Sequence, residues 1–179
     1  NGDVHTANQK LAGLESRNQA KTFIYALLYG AGDAKLGSVA KGNRAVGARL
    51  RQSFFDNLPS FKALKDRVAR EATKGFVKGL DGRKVFVRSE HAALNSLLQS
   101  AGSLVMKKAV IIFNEKIKDL PADFVMNVHD EWQLETEAMS ADTVGNLGVE
   151  AIIEAGLAFN LNCPLDGEYN VGSNWSETH

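Results

Sequence analysis

Positions 17–30 of the chain read RNQAKTFIYALLYG, in which every fourth residue is a cation or a phenol until a glycine follows. These five residues are Arg17, Lys21, Tyr25, Tyr29 and Gly30. In an α-helix, side chains four residues apart lie on nearly one face, and each step advances about 6 Å along the axis. The pattern therefore predicts a helix whose cations suit a triphosphate and whose phenols suit a sugar and a base. The glycine would let another chain, such as a template strand, come close.

The plainer interpretation of this spacing is a solvated basic face with two half-buried tyrosines. A nucleotide site is therefore predicted only if a second pattern supports it. Residues 124–128, FVMNV, are apolar and β-prone, and residues 132–135, WQLE, alternate apolar and polar. His129, Asp130 and Glu131 lie between them. The sequence thus predicts a β-hairpin whose turn presents two carboxylates and an imidazole, although such a turn by itself is often no more than polar surface.

Taken together, the two patterns resemble those of family A (polymerase I-type) DNA polymerases. The pattern R-x-x-x-K-x-x-x-[FY]-x-x-x-Y-G is that family's fingers-helix motif, and V-H-D-E between two short strands is its palm motif C. The likeness is greatest to the replicative polymerases of short-tailed bacteriophages, because bacterial repair enzymes tend to carry Phe in place of Tyr25 and Arg in place of His91. Four further segments resemble the family: residues 3–8, 79–87, 92–102 and 172–179.

The resemblance implies an α+β fold with the right-hand architecture of these polymerases. The thumb of that architecture is absent from this chain. We expect residues 1–14 to connect palm and fingers, residues 15–75 to form a mostly helical fingers region, and residues 76–179 to form part of the palm around a small antiparallel sheet. Local patterns predict the elements independently. They are helices over 3–12 and 16–29 (capped by Ser16), a basic helical stretch over 44–74 broken at Pro59, a hairpin of 76–78 with 84–88, a long helix after residue 92, a helix after residue 143, and a strand within 164–175.

The implied activity is template-directed addition of deoxynucleotides to a primer 3′ end, with two Mg²⁺ ions in the assembled enzyme. Arg17 and Lys21 would bind the β- and γ-phosphates, and Lys21 is also a candidate acid toward the pyrophosphate leaving group. Tyr25 would lie against the incoming sugar. His5 is a candidate phosphate contact, and a capping or surface histidine explains it equally well.

The acidic hairpin turn implies the metal ligands, since magnesium prefers hard carboxylate oxygens. Asp130 is the predicted ligand. Glu131 is a weaker candidate, either as a ligand in some states only or as a residue that contacts a ligand rather than the metal. His129 is expected at the primer terminus rather than on a metal. A metal-dependent hydrolase that uses the same three side chains is an alternative, but it leaves the row on the fingers helix unexplained.

Contacts to primer–template DNA are implied at further positions. Tyr29 and Gly30 are expected to border the template base. His91, Asn95 and Gln99 form another four-spaced row, and amide donors there can check base-pair geometry in the minor groove, whose acceptors are similar for all pairs. A polar residue at the edge of the core explains Asn95 as well.

Nothing in the 179 residues resembles the family's motif A, which carries the first metal-binding aspartate. We therefore expect the chain alone to be inactive or nearly so, and to need an N-terminal polymerase half that supplies this aspartate and the thumb. Because the sequence begins without Met, it is interpreted as a fragment, a processed product or an excised piece. One alternative is a non-catalytic DNA-binding remnant of a phage polymerase. Another is a purely structural helical protein, which would leave the uneven distribution of charge along the chain, described next, without a role.

The formal net charge of zero conceals two opposite halves. Residues 1–108 hold 19 of the 21 Lys and Arg but 8 of the 21 Asp and Glu, whereas residues 109–179 hold 2 and 13. The basic part is therefore a candidate for phosphate binding. The single cysteine, Cys163, excludes an internal disulfide framework and fits the cytoplasm of a phage-infected or prophage-carrying bacterium. No uninterrupted apolar run approaches the ~20 residues of a membrane span, so no membrane partner is expected.

Overall fold

A computed structural model describes residues 4–179, apart from the side chains of Val4, His5, Asn8 and Leu11. Backbone contacts divide the chain into two compact units, Asn1–Leu98 and Gln99–His179, here called unit 1 and unit 2. This division falls 23 residues after the predicted boundary between fingers and palm, which is a functional boundary and stays a prediction.

Unit 1 is mostly helical. Its elements in chain order are α1 (Val4–Ala12), α2 (Arg17–Leu28), α3 (Asp33–Val39), α4 (Arg44–Asn57), α5 (Pro59–Ala72), β1 (Phe76–Lys78), β2 (Lys84–Phe86) and a 3₁₀ turn (Glu90–Ala92). The strands β1 and β2 form an antiparallel hairpin, in which Val77 pairs with Val85. Helix α6 (Ala93–Ile117) follows the turn and extends into unit 2.

Unit 2 is built around a second hairpin. Strands β3 (Ala122–Val128) and β4 (Glu131–Thr136) pair in antiparallel register, and α7 (Ala141–Ala158) and the short α8 (Trp175–Thr178) follow. The α+β prediction is therefore confirmed, with two two-stranded sheets among many helices.

Local sequence signals explain where the helices begin. The side chain of Ser16 accepts a hydrogen bond from the backbone N–H of Gln19 at the start of α2, as predicted for an N-cap. Asn43 caps α4 in the same way through the N–H of Val46. Pro59 occupies the first turn of α5, where its missing N–H costs nothing, and it separates the two basic helices.

The core of unit 1 fixes how α2 is rotated. Ala20, Phe23 and Leu27 recur at helical spacing and are fully or almost fully buried. They pack in one cluster with residues of α3 and α4, among them Leu36 and Phe54. The face of α2 that carries the predicted row lies on the other side of the helix and is exposed.

An aromatic cluster joins the hairpin of unit 2 to its helices. The ring of Phe113 on α6 stacks on Trp132 at 5.3 Å between centroids and meets Phe124 edge-on at 5.4 Å. Val144 and Ala151 on α7 pack in the same cluster. The apolar residues of α7, a helix that the sequence predicts after residue 143, therefore pack on the hairpin.

Two details of the sequence prediction are wrong. No strand forms within residues 164–175, which run as irregular chain into α8. Glu131 does not belong to the hairpin turn, because it is the first residue of β4 and pairs with Val128. The turn consists of His129 and Asp130 alone.

One helical stretch among the described residues, Glu90–Ile117, is long and apolar enough to cross a bilayer by length and composition. It contains no uninterrupted apolar run of that length, so a search for such runs does not find it. Its buried residues pack in two places: Ala93 and Leu94 in unit 1, and Val105, Ala109, Phe113 and Ile117 in unit 2. Only 17% of its most apolar 18-residue window is buried among the described residues, so length and composition alone mark this stretch.

We expect the substitution Phe113→Ala to lower the free energy of unfolding of the 179-residue chain by about 3–5 kcal/mol, because it empties the centre of the aromatic cluster. Ile111→Ala on the same helix is the control, since Ile111 is 61% exposed. Its effect should stay within about 0.5 kcal/mol. Urea unfolding followed by circular dichroism measures both, and equal losses would contradict the packing described.

Candidate functional site

The predicted row lies on one exposed face of α2. Arg17, Lys21, Tyr25 and Tyr29 are all exposed, whereas the opposite face is buried. The rings of Tyr25 and Tyr29 stack at 6.5 Å between centroids with 23° between their planes. The helix therefore presents two cations followed by an aromatic surface, an order that could meet the phosphates and then the sugar and base of a nucleotide.

Gly30 ends this row in a conformation that favours glycine. Its φ is +79°, and a Cβ placed there would lie 2.3 Å from the carbonyl oxygen of His91. The chain that approaches Gly30 in this structure is thus the protein's own 3₁₀ turn, whereas the sequence analysis expected a template strand. Contact of Tyr29 and Gly30 with a template base stays a prediction.

A shallow pocket beside this contact was not anticipated from the sequence. It is lined by residues of α2, α5, the 3₁₀ turn and α6, including Leu28, Lys65, Glu90 and His91. Its lining residues come from segments far apart in sequence, so only the folded chain brings them together.

The residues predicted to contact the minor groove lie in two different elements. His91 is exposed in the 3₁₀ turn, Asn95 is half-buried and Gln99 is exposed, both of them on α6. Because His91 precedes α6, the predicted three-residue row does not lie on a single α-helix. The side chain of His5 lies outside the described residues.

The loop of the β3–β4 hairpin has only two residues, since Val128 pairs with Glu131. His129 has a φ of +54°, in the left-handed region that non-glycine residues adopt at a cost of about 1–2 kcal/mol. Such a conformation persists where surrounding contacts impose it, and it is common at functional sites. Both His129 and Asp130 are exposed, and neither side chain makes a recorded hydrogen bond or ion pair within the described part of the chain.

Glu131, next in sequence, is surrounded by hydrogen-bond donors. Gln133 Nε2 and Trp175 Nε1 donate to its Oε1, and His179 Nδ1 lies 2.9 Å from its Oε2. The hydrogen bond from Gln133, followed by the one with His179, lowers the pKa of Glu131 below its usual value. Thr178 Oγ1 in turn donates to Gln133 Oε1 at 3.1 Å.

No single pattern in the sequence predicts this network. Its participants on the C-terminal side are Trp175, Thr178 and His179, which lie more than 40 residues from Glu131 along the chain. Two features of the sequence could have pointed to the network. Residues 172–179 resemble the end of the family's sequences, and Gln133 lies two positions after Glu131, on the same face of a strand.

The carboxylates of this hairpin differ in their fitness for a metal ion. Carboxylate oxygen is the donor that magnesium prefers, and the Asp130 carboxylate is exposed and uncommitted within the described structure. The oxygens of Glu131 are already engaged. Within residues 4–179 as described, no three or more His, Cys, Asp or Glu side chains form a group able to hold a metal. Asp130 therefore fits magnesium in kind, and a complete site needs ligands from elsewhere.

The chain belongs to DNA polymerase family A, which it matches over residues 2–177. It is 41% identical over 99% of its length to a DNA-directed DNA polymerase of Escherichia phage Phieco32, and 40% and 39% identical over its full length to those of Enterobacteria phage T3 and Escherichia phage T7. The predicted family, with its likeness to phage enzymes, is confirmed. The chain spans about 30% of the length of these relatives.

A solved structure supports the fold. The POL domain of Pol1 from M. smegmatis, described in complex with DNA primer-template and dNTP, matches 86% of this chain with a TM-score of 0.78. The sequence identity is 23%, and the match covers 31% of that chain. The predicted polymerase architecture is thus confirmed at the level of the fold.

We expect Gly30→Ala to destabilise unit 1 by more than the matched substitution Gly13→Ala. Both glycines have positive φ, but a Cβ at Gly13 meets nothing within 4 Å, whereas at Gly30 it meets the His91 backbone. Gly13→Ala should cost about 1 kcal/mol and Gly30→Ala at least about 1 kcal/mol more. Urea unfolding of the two variants decides, and equal costs would show that the close approach to His91 is absent in solution.

Proposed function

We propose that this chain is the fingers and C-terminal palm portion of a DNA-directed DNA polymerase, which adds deoxynucleotides to a primer 3′ end under the direction of a template. The observation that carries the proposal is the exposed row of Arg17, Lys21, Tyr25 and Tyr29 on α2 in a member of DNA polymerase family A. The phage relatives bear the name of this activity.

The order of groups along α2 matches the order of groups in a nucleotide. Arg17 and Lys21 bind the β- and γ-phosphates by charge-assisted hydrogen bonds. Lys21 also donates a proton toward the pyrophosphate as it leaves, which favours departure of the leaving group. Tyr25 lies against the sugar, and its phenol replaces a hydrogen bond that is lost when the sugar has no 3′-hydroxyl.

Asp130 is the residue of this chain that would hold magnesium, and Glu131, whose oxygens already accept hydrogen bonds from the protein, is the weaker candidate. When bound, two magnesium ions stabilise the attacking and leaving oxygens of phosphoryl transfer. The Asp130 carboxylate is exposed at the tip of a tight turn and has no partner among the described residues, which supports its assignment. His129 is adjacent on the same turn and contacts the primer terminus.

The charge of unit 1 supports DNA as its partner. Residues 1–98 contain 17 Lys and Arg against 8 Asp and Glu, so the unit is strongly basic and its binding to DNA weakens as salt rises. Tyr29 and Gly30 border the template base. His91, Asn95 and Gln99 contact the minor groove of the primer–template duplex.

A complete polymerase requires more than these residues. The first metal-binding aspartate of the family has no counterpart among the 179 residues, so an N-terminal half supplies it together with the thumb. Apolar side chains on β3, Val125 at 62% and Met126 at 39% exposure, offer a surface on which further palm structure packs. The assembled enzyme works in the cytoplasm of a phage-infected or prophage-carrying bacterium.

We expect the purified 179-residue chain to extend a primer at less than about 1% of the rate of the chain assembled with an N-terminal polymerase half, since one aspartate cannot hold two ions. Asp130→Asn in the assembled enzyme is the control and should abolish extension. A gel assay with Mg²⁺, primer–template and deoxynucleotides measures this. Robust synthesis by the isolated chain would refute the dependence, and DNA binding without synthesis by the assembly would favour a non-catalytic remnant.

We expect Tyr25→Phe in the assembled enzyme to lower the use of dideoxynucleotides relative to deoxynucleotides by roughly tenfold or more, because the phenol hydroxyl is lost. Tyr29→Phe is the matched control on the same face of α2, and it should leave this ratio unchanged. Competitive primer extension with both nucleotides measures the ratio. An unchanged ratio for Tyr25→Phe would remove Tyr25 from the sugar site.

A further inference from the structure

The two adjacent carboxylates of the β3–β4 hairpin lie in opposite surroundings. Glu131 Oε1 accepts hydrogen bonds from Gln133 and Trp175 and lies 3.2 Å from His179 Nδ1, while its Oε2 lies 2.9 Å from the same nitrogen. A carboxylate offers about four lone-pair positions, and three donors of the protein already occupy most of those of Glu131. Asp130 has no recorded partner within the described structure. Asp130 is therefore suited to bind a ligand, and Glu131 is suited to hold parts of the protein together.

The segment Ser173–His179, here called the latch segment, is folded for this contact. The Glu177 carboxylate accepts hydrogen bonds from the Ser173 N–H at 2.7 Å and from Asn174 Nδ2 at 2.8 Å, which fixes the start of α8. Trp175, Thr178 and His179 then follow the spacing i, i+3, i+4 of one helical face. The rings of Trp175 and His179 lie 5.3 Å apart, so the two side chains that reach Glu131 also support each other.

The contact reaches the hairpin where its loop ends. Glu131 directly follows Asp130, and its pairing with Val128 closes the two-residue loop. His129 within that loop holds a left-handed φ, which requires support from the surrounding structure. Thr178 extends the contact along β4 by donating to Gln133, which itself donates to Glu131. Two points of attachment on β4 thus limit how the loop can tilt.

We propose that Glu131 is an anchor rather than a metal ligand, and that the latch segment holds the β3–β4 loop so that Asp130 is correctly placed. Trp175, Thr178 and His179 are positioning residues, since they act through Glu131 and not on substrate. The catalytic consequence rests on the proposed polymerase function, whereas the anchoring itself does not.

Several weak contacts acting together give the latch its strength. Glu131 is 32% and His179 59% exposed, so their ion pair alone is screened and contributes little. Loss of one donor should therefore weaken the latch, and loss of the Glu131 charge should release it, because Glu131 is the acceptor that all three donors share.

The test uses the polymerase assembled with its N-terminal half and carrying Glu131→Gln, His179→Ala or His179→Gln. Glu135→Gln is the matched control, since Glu135 lies four residues further along β4, is exposed and has no recorded partner within the described structure. Amide hydrogen exchange of residues 173–179 reports release of the latch without any reaction. Primer extension gives kcat, the KM for the deoxynucleotide and the Mg²⁺ concentration for half-maximal rate.

We expect Glu131→Gln and His179→Ala to raise exchange of residues 173–179 and to lower kcat about tenfold, as is typical for loss of a group that orients a ligand. The KM for the deoxynucleotide should stay close to that of the unmodified enzyme, because no residue that contacts the nucleotide is changed. Any rise in the half-saturating Mg²⁺ concentration should be shared by both variants, because both disturb the placement of Asp130. The double variant should be no slower than Glu131→Gln alone. His179→Gln, which keeps an N–H donor, should recover part of the rate, and Glu135→Gln should match the unmodified enzyme.

Two results would overturn the proposal. If Glu131→Gln raised the half-saturating Mg²⁺ concentration by about tenfold or more while His179→Ala did not change kcat, Glu131 would be a ligand. If neither variant altered exchange of residues 173–179, the latch would not exist in solution. An assembled enzyme that failed to extend primers at all would contradict the proposed function, and the exchange measurement would still decide whether Glu131 anchors the segment.

Discussion

The burial of one face of α2 is the constraint on which the proposed nucleotide site depends. Ala20, Phe23 and Leu27 are inserted among residues of α3 and α4, and this sets the rotation of the helix about its axis. Every residue of the opposite row is exposed as a consequence. The core on the other side of the helix thus determines where the row lies.

In the hairpin of unit 2, two adjacent residues with the same chemistry differ in role because their surroundings differ. Asp130 and Glu131 are both carboxylates, yet one stands at the tip of a two-residue loop and the other begins a strand. A residue on a strand has neighbours at fixed positions, and Glu131 has Gln133 on its own face and the latch segment against it. A residue at a loop tip keeps its polar atoms available for a ligand.

Much of the fold was readable from local sequence, and the reasons are specific. Ser16, Pro59 and the apolar repeat of α7 act within a few residues of the structure they determine, so the helices they mark were predicted correctly. The approach of His91 to Gly30 and the contact of His179 with Glu131 join residues 61 and 48 positions apart, and no local pattern encodes such pairs. The predicted strand after residue 163 failed because this segment is held by side-chain contacts rather than by a ladder of backbone pairs. The choice between Asp130 and Glu131 likewise depends on tertiary contacts that the sequence V-H-D-E does not contain.

The central claim is that α2 binds the triphosphate of an incoming nucleotide, and equilibrium binding tests it most directly. In the enzyme assembled with its N-terminal half and a dideoxy-terminated primer–template, the Kd of the complementary deoxynucleotide is measured for Lys21→Ala and for Lys35→Ala, an exposed lysine on α3. Loss of a hydrogen bond to a charged phosphate predicts a Kd at least about tenfold weaker for Lys21→Ala, and an unchanged Kd for Lys35→Ala. A Kd for Lys21→Ala equal to that of the unmodified enzyme would contradict the account.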